Sequence, residues 1–238
     1  MKMGQPRIAL LNAAHAAADT RRNFRRELDA DLLELDAHEP LPPVDEVDID
    51  GLVVTGSRSS VYWDDPWIAD LVEWVRVAVE DNALPALGVC FGHQTLATAL
   101  GGRVEHMGSY EIGYREVERT GDDRVLAGLD NRFLAFTTHQ DAVVETPPGA
   151  TRIAGNDYGI QGFRKGRAWG VQFHPEYDLD TAERIAVKKR DHEMLTSAEI
   201  DAVLDGVTPE NYDRACEAKR LFGNFIGVVE ETRSAPAR

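Results

Sequence analysis

Cys90 lies between two glycines in the stretch Gly88-Val89-Cys90-Phe91-Gly92-His93-Gln94, and it is one of only two cysteines in 238 residues. Pro85 to Val89 reads as a short buried strand, and Gln94 to Leu100 as a helix closed by Gly101-Gly102, so Cys90 falls at a strand-to-helix turn. Gly88 and Gly92 remove side chains where strand and helix must approach, which lets the residue between them take a strained backbone with its sulfur presented. A helix N-terminus favours the thiolate through its unpaired N–H groups and partial positive charge. The N–H of Phe91, one residue on, would face an oxygen turning negative in a tetrahedral intermediate, as half of an oxyanion hole. That chemistry is nucleophilic attack on a carbonyl, and it requires a base. Trp169-Gly170-Val171-Gln172-Phe173-His174-Pro175-Glu176 supplies one. In extended chain, residues two apart project to the same side, so Glu176 can accept from one ring nitrogen of His174 while the other faces Cys90. The expectation is a Cys90–His174–Glu176 triad.

A Gly-x-Cys-x-Gly-x-Gln elbow followed much later by His-Pro-Glu resembles the class I, or triad, glutamine amidotransferase family. The resemblance runs from the first strand, Arg7 to Leu11, to the His-Pro-Glu end, and two more segments carry it. Gly51-Leu52-Val53-Val54-Thr55-Gly56-Ser57 is similar to the family's strand and loop that donates the second oxyanion N–H. By position that donor is Gly56, with Ser57 beside the substrate. Thr138-His139-Gln140-Asp141 resembles the segment that holds the amino-acid end of glutamine, and Gln94 matches a position whose side chain grips the same end. The resemblance thus implies substrate contacts from Ser57, Gln94, Thr138, His139, Gln140 and Asp141. It also implies hydrolysis of the glutamine side-chain amide through a γ-glutamyl thioester, with ammonia passed to a synthetase or synthase partner chain. Many relatives carry Gly-Gly-Pro where this chain has Gly56-Ser57-Arg58-Ser59-Ser60-Val61-Tyr62, and here the loop is closer to stand-alone, γ-glutamyl peptidase-like members. Two other readings stay open: a γ-glutamyl peptidase acting on γ-glutamyl conjugates, and an inactive binding or regulatory subunit.

Positioning these residues needs a scaffold, and the alternation of apolar runs provides its outline. Strands are expected at Arg7–Leu11, Gly51–Thr55 and Pro85–Val89, with helices around Thr20–Leu33, over Pro66–Glu80 and after Cys90. This βαβ rhythm calls for a mostly parallel sheet with helices on both faces, and such sheets place their sites at the carboxyl ends of strands. From Arg103 to Gly170 the chain turns β-rich; Tyr114–Glu118 and Phe133–Thr137 suggest antiparallel strands added at one edge. Helices return at Thr181–Leu195, at Ser197–Leu204 with Ser197 as its cap, and at Tyr212–Val229. The expected class is α/β, flavodoxin-like, with an open sheet, an antiparallel edge and a helical C-terminal insertion, in one domain over 1–238. The insertion, Asp178 to Pro209, either covers the cleft, docks a partner or forms a solvated helical hairpin.

Composition bounds the rest. At 43% hydrophobic residues the chain can bury one sizeable core. No apolar run approaches a membrane span, and Asn12 interrupts Ile8-Ala9-Leu10-Leu11 before it could act as a signal peptide, so a cytoplasmic protein without membrane partners is expected. A net charge of -15 disfavours nucleic acid, and the Asp-rich runs suit high salt. Neither a phosphate loop, a dinucleotide fingerprint nor a metal-ligand spacing occurs, and no cofactor and no metal is expected. His15, His38, His93, His106 and His192 read as solvated surface residues, and Cys216 as a packing residue.

Overall fold

The computed structural model describes residues 4–15, 17–190 and 192–234. In chain order the elements are β1 (Arg7–Asn12), α1 (Ala17–Glu27), β2 (Asp31–Asp36), β3 (Gly51–Val54), α2 (Pro66–Arg76, prolonged by a π turn), β4 (Ala86–Val89) and α3 (Phe91–Ala99). Then come β5 (Arg103–Arg119), β6 (Arg132–Glu145), β7 (Thr151–Asn156), β8 (Gly159–Lys165) and β9 (Ala168–Val171). Four helices end the chain: α4 (Leu179–Lys188), α5 (Ser197–Gly206), α6 (Pro209–Ala215) and α7 (Arg220–Ser234). One nine-stranded open sheet runs in the order β2-β1-β3-β4-β9-β8-β7-β5-β6. Pairing is parallel from β2 through β9 and antiparallel from β9 to β6. This is the α/β arrangement with an antiparallel edge that the sequence leads one to expect.

Alternation along the parallel strands sorts the core into two layers. Ile8 and Leu10 of β1, Val53 of β3, and Leu87 and Val89 of β4 face Phe24 and Leu28 at α1 and Phe222, Phe225 and Val229 of α7. Ala9, Leu11, Leu52, Val54 and Ala86 face Ile68, Leu71 and Val75 of α2 and Leu96 of α3. Each fully buried Leu, Ile, Val or Phe contributes about 1.5–3 kcal/mol, so these two layers hold the strand ends, and with them the site, rigidly in place. A third, smaller cluster joins Ile112 of β5 and Phe136 of β6 to Ala182 and Ala186 of α4 and Ile200 and Val203 of α5. The C-terminal insertion is therefore docked on the antiparallel part of the sheet.

Several expected boundaries differ. The helix expected over Thr20–Leu33 ends at Glu27, and Asp31–Asp36 is a strand in parallel register with β1, Arg7 opposite Asp31 through Asn12 opposite Asp36. The helical spacing of Leu28, Leu32 and Leu35 misleads there, because the free edge of β1 offers backbone partners that outweigh local propensity. The helix expected over Thr181–Leu195 stops at Lys188. Ser197 is the first helical residue of α5; Thr196 caps it, in a reciprocal capping box with Glu199 worth about 1 kcal/mol. Tyr212–Val229 is not one helix, since a 3-10 turn, Cys216–Lys219, separates α6 from α7. No described helix is long and apolar enough to cross a membrane.

Candidate active site

Strands β1, β3, β4 and β9 all deliver their carboxyl ends to one edge of the sheet, and Cys90 follows β4 there. Its backbone has φ 55° and ψ −106°, a left-handed conformation that costs an L-residue about 1–3 kcal/mol. The flanking glycines explain how it is tolerated. A Cβ on Gly88 would overlap the Gly92 carbonyl, and a Cβ on Gly92 would overlap the Val54 carbonyl of β3. The strain is held by hydrogen bonds on either side: Cys90 N donates to Val171 O at 2.8 Å, and Gln94 N to Cys90 O at 3.1 Å. Phe91 is the first residue of α3, so its N–H has no acceptor within the helix. The buried Cys90 sulfhydryl points at the Thr138 carbonyl, 3.9 Å away.

His174 arrives three residues beyond the last pairing of β9 and is fastened to β6 by its N–H, which donates to Phe136 O at 2.8 Å. Its Nδ1 donates to Glu176 Oε1 at 2.8 Å, and both side chains are buried. The ring is stacked on Tyr177, with centroids 4.2 Å apart and planes 19° from parallel. Among the described residues Nε2 makes no hydrogen bond of ordinary geometry, and the Cys90 sulfur lies close enough to act on it electrostatically. Burial pulls the His174 pKa down, but the Glu176 carboxylate and the neighbouring Cys90 sulfur outweigh it and push the value up to about 10. The turn carrying Glu176 is pinned from α1. Arg26 donates to Glu176 O at 2.6 Å, and Arg22 and Arg26 both reach Asp178, the N-cap of α4. Burial raises the Asp178 pKa, but the bonds from Thr181 and the two arginines prevail and lower it to about 2.

Gly56, just past β3, packs against both partners: a Cβ there would lie 3.0 Å from His174 Cε1 and 3.6 Å from Cys90 Cβ. Only glycine brings backbone this near the imidazole without displacing it. The loop that follows is tied down at several points. Ser57 Oγ accepts from Ser59 N at 3.2 Å, and Ser59 Oγ is 2.9 Å from His15 Nε2. Ser60 Oγ and Tyr62 OH donate to the two carboxylate oxygens of Asp141, at 2.5 and 2.8 Å.

The Thr138–Asp141 segment of β6 divides by strand parity. Thr138 and Gln140 lie on the half-open side, whereas His139 and Asp141 are buried. Thr138 Oγ1 is 3.1 Å from Tyr110 OH, and the Gln140 side chain makes no hydrogen bond among the described residues. His139 Nδ1 lies 3.0 Å from Asp141 O and its Nε2 2.6 Å from Glu111 Oε2, both hydrogen-bonded. The fully buried Glu111 also accepts from Asn156 at 2.6 Å and from Gln161 at 2.9 Å, as an interior carboxylate must to offset its desolvation. Gln94 is buried too; its Nε2 donates to Asp141 O at 2.9 Å and to Gln172 Oε1 at 3.2 Å. His139, Asp141 and Gln94 thus join β5, β6, α3 and the Gly56 loop through bonds within the protein.

A model of the family "Glutamine amidotransferase class-I" matches residues 17–190. The chain belongs to the class-I glutamine amidotransferase family. It is similar to the protein named GMP synthase [glutamine-hydrolyzing] of Vibrio vulnificus, 35% identical over 141 residues, covering 56% of this chain and 26% of that one. The GMP synthase of Thermus thermophilus is 36% identical over 154 residues, covering 63% and 29%. This amidotransferase chain therefore spans about a quarter of the length of the curated relatives it matches. Among solved structures, a glutamine amidotransferase from Thermotoga maritima superposes with a TM-score of 0.77 at 23% identity, covering 94% of this chain and 99% of the other. A glutamine amidotransferase from Methylobacillus flagellatus gives 0.73 at 22% identity, covering 95% of each. These likenesses share the fold.

Several residues around the amidotransferase cleft escape a reading of motifs. Glu111, Tyr110 and Ser60 carry no local signature, and Tyr177 could be suspected only from its place one residue beyond the His-Pro-Glu run. His93 is the clearest correction. It is fully buried, its ring 5.0 Å from that of Phe163, in space that exists because Gly170 lacks a side chain. Every residue of α3 except Thr98 is enclosed, so the His93 side chain cannot reach solvent. Burial lowers the His93 pKa to about 3, and His93 is neutral. Among the described residues no cluster of three or more His, Cys, Asp or Glu is placed to hold a metal ion.

Proposed function

We propose that this chain hydrolyses the side-chain amide of glutamine by thiolate catalysis. What carries the reading is His174, held between the Glu176 carboxylate and a cysteine on a strained elbow. The Cys90 thiolate adds to the γ-amide carbon, forming a C–S bond, and the N–H groups of Gly56 and Phe91 receive the oxyanion. Collapse breaks the C–N bond while the His174 imidazolium protonates the leaving nitrogen, which departs as ammonia. Neutral His174 then takes a proton from water, whose oxygen adds to the thioester; the C–S bond breaks, releasing glutamate and restoring the thiolate. Glu176 holds the ring tautomer and favours its charged form throughout.

The relatives named GMP synthase support a further step in which the ammonia passes to a synthetase segment or partner chain working in the cytoplasm. A second reading, cleavage of γ-glutamyl conjugates, draws support from Tyr62 and Trp63. They are 49% and 46% exposed on the loop that follows Gly56, where a bulky leaving group would need an apolar rest. Ammonia release from glutamine, measured beside amine release from γ-glutamyl dipeptides, decides between the two. The glutamine analogue 6-diazo-5-oxonorleucine is expected to label wild-type protein on Cys90 and to leave Cys90→Ala unlabelled. Labelling that persists in Cys90→Ala, or its absence from wild type, counts against thiolate catalysis.

A further inference from the structure

Two hydrogen bonds leave the His174 imidazole one freedom. Its backbone N–H is fixed on Phe136 O and its Nδ1 on Glu176 Oε1, each at 2.8 Å, yet a ring held at a single nitrogen can still tilt about that bond. What limits the tilt is Tyr177, whose ring lies on the imidazole face with centroids 4.2 Å apart and planes 19° from parallel. Flat faces that close admit little rocking, because either edge would be driven into the neighbouring ring.

Tyr177 is itself held from two directions. Along the chain it stands between Glu176, whose carbonyl accepts from Arg26 at 2.6 Å, and Asp178, which caps α4 by accepting from Thr181 N at 2.8 Å. Across the sheet its ring meets Phe136 of β6, with 5.8 Å between centroids, and Phe136 meets Tyr114 of β5 edge-on at 5.2 Å. All three rings belong to the cluster in which Ala182 and Ala186 of α4 and Ile200 and Val203 of α5 are buried. Lys189, the C-cap of α4, adds a hold of its own, its ammonium 4.7 Å from the centre of the Tyr110 ring in the same cluster. The apolar cluster that docks the insertion therefore ends on the face of the imidazole.

We propose that Tyr177 is a positioning residue for His174, and that the C-terminal insertion, by packing Tyr177, helps to keep Cys90, His174 and Glu176 in line. This rests on the glutaminase reading and deepens it. A phenol face also favours the charged imidazole over the neutral one, since the electron-rich ring attracts a cation. The titratable groups around the imidazole are Glu176 on its own turn, Cys90 at the head of α3 and, bordering a cavity of about 10 Å³ beside the ring, Tyr114 of β5, Tyr212 of α6 and Lys219. Lys219 is paired with Glu27 at 2.6 Å, and Arg26 of α1 with Asp178 at 2.8 Å and Glu27 at 2.7 Å. Glu176 and Cys90 thus supply the charge beside the ring, and Tyr177 supplies the face against which it is aligned.

The test removes the flat face and reads the thiol directly. Tyr177→Met and Tyr177→Leu keep apolar bulk without a flat ring, and Tyr177→Phe keeps the ring without the hydroxyl. Alkylation of Cys90 by iodoacetamide, with the modified cysteine assigned by mass spectrometry, is followed against pH. In Tyr177→Met and Tyr177→Leu the pH of half-maximal alkylation should rise by about one unit, because a loosely held imidazolium supports the thiolate less, while Tyr177→Phe stays at the wild-type value. In turnover, kcat for glutamine should fall about tenfold in the same two variants with KM little changed, and Tyr177→Phe should retain it. Val203→Ala, which thins the docking cluster on α5, should displace the alkylation profile in the same direction by a smaller amount. A folded Tyr177→Met or Tyr177→Leu protein with the wild-type profile overturns the positioning role, as does a Tyr177→Phe protein that is displaced as far as they are. An unmoved profile in Val203→Ala overturns the part given to the insertion. Should neither Tyr177→Met nor Tyr177→Leu fold, Tyr177→Phe and Val203→Ala decide by the same criteria. A displaced profile in a protein that releases no ammonia upholds the stack and overturns the glutaminase reading instead.

Discussion

The strain at Cys90 makes a prediction about stability that does not depend on turnover. At φ 55° and ψ −106° an L-residue sits where its Cβ crowds the backbone, whereas glycine occupies the mirror-image extended region freely. Replacing Cys90 by alanine keeps the Cβ and the strain, and replacing it by glycine releases the strain. Where φ is positive, the net preference for glycine over alanine exceeds about 1 kcal/mol even after the larger entropy glycine loses on folding. For a chain of this size that corresponds to a melting temperature about 2–4 °C higher in Cys90→Gly than in Cys90→Ala. Ala97 in α3 provides the control, since the same exchange at ordinary helical angles costs about 1 kcal/mol in the opposite direction. Calorimetry of the three variants beside wild type reads both signs. A Cys90→Gly protein that melts at or below Cys90→Ala, with Ala97→Gly destabilised as stated, would refute the claim that the elbow is strained.

Four further outcomes follow from the site. With its pKa raised from 6.5 to about 10, His174 contributes stability that is fully present below pH 6.5 and is lost as pH climbs toward 10. Glu176→Gln removes a main raising influence, so unfolding free energy should fall less steeply across that window; parallel curves for variant and wild type would show that the carboxylate does not hold the proton. Gly92→Ala forces a Cβ onto the Val54 carbonyl, backbone against backbone, and should cost about 3 kcal/mol or more, so a soluble protein with wild-type melting excludes the close approach. Asp141→Ala frees Ser60 and Tyr62 and loosens the Gly56 loop; kcat for ammonia release is expected to drop about tenfold with the circular dichroism spectrum retained, and an unaltered kcat removes Asp141 from any positioning role. Raising KCl from low to molar concentration should increase the melting temperature by screening a net charge of -15, and a decrease would mean that the surface ion pairs matter more than the excess of acid.

The amino-acid order alone determined those features whose physics is local. Glycines on either side of Cys90 announce a turn that no larger residue could make, and Glu176 two positions beyond His174 announces a pair on one side of an extended chain. The alternation of short apolar runs with amphipathic ones likewise specifies a parallel sheet covered on both faces. Tertiary structure decided whatever depends on a partner distant in sequence. Asp31–Asp36 became a strand because β1 has an open edge, although its leucines follow helical spacing. His139 and Asp141 turned inward because strand parity and the register of β6 against β5 put Glu111 opposite His139, while Thr138 and Gln140 stay half-exposed on the other side. His93 is enclosed because α3 lies between the sheet and its neighbours, and Lys189 meets Tyr110 because an apolar cluster docks the insertion onto β5 and β6. Steric limits on a backbone are written in adjacent residues. The acceptor a buried donor finds is settled only when the chain has closed around it.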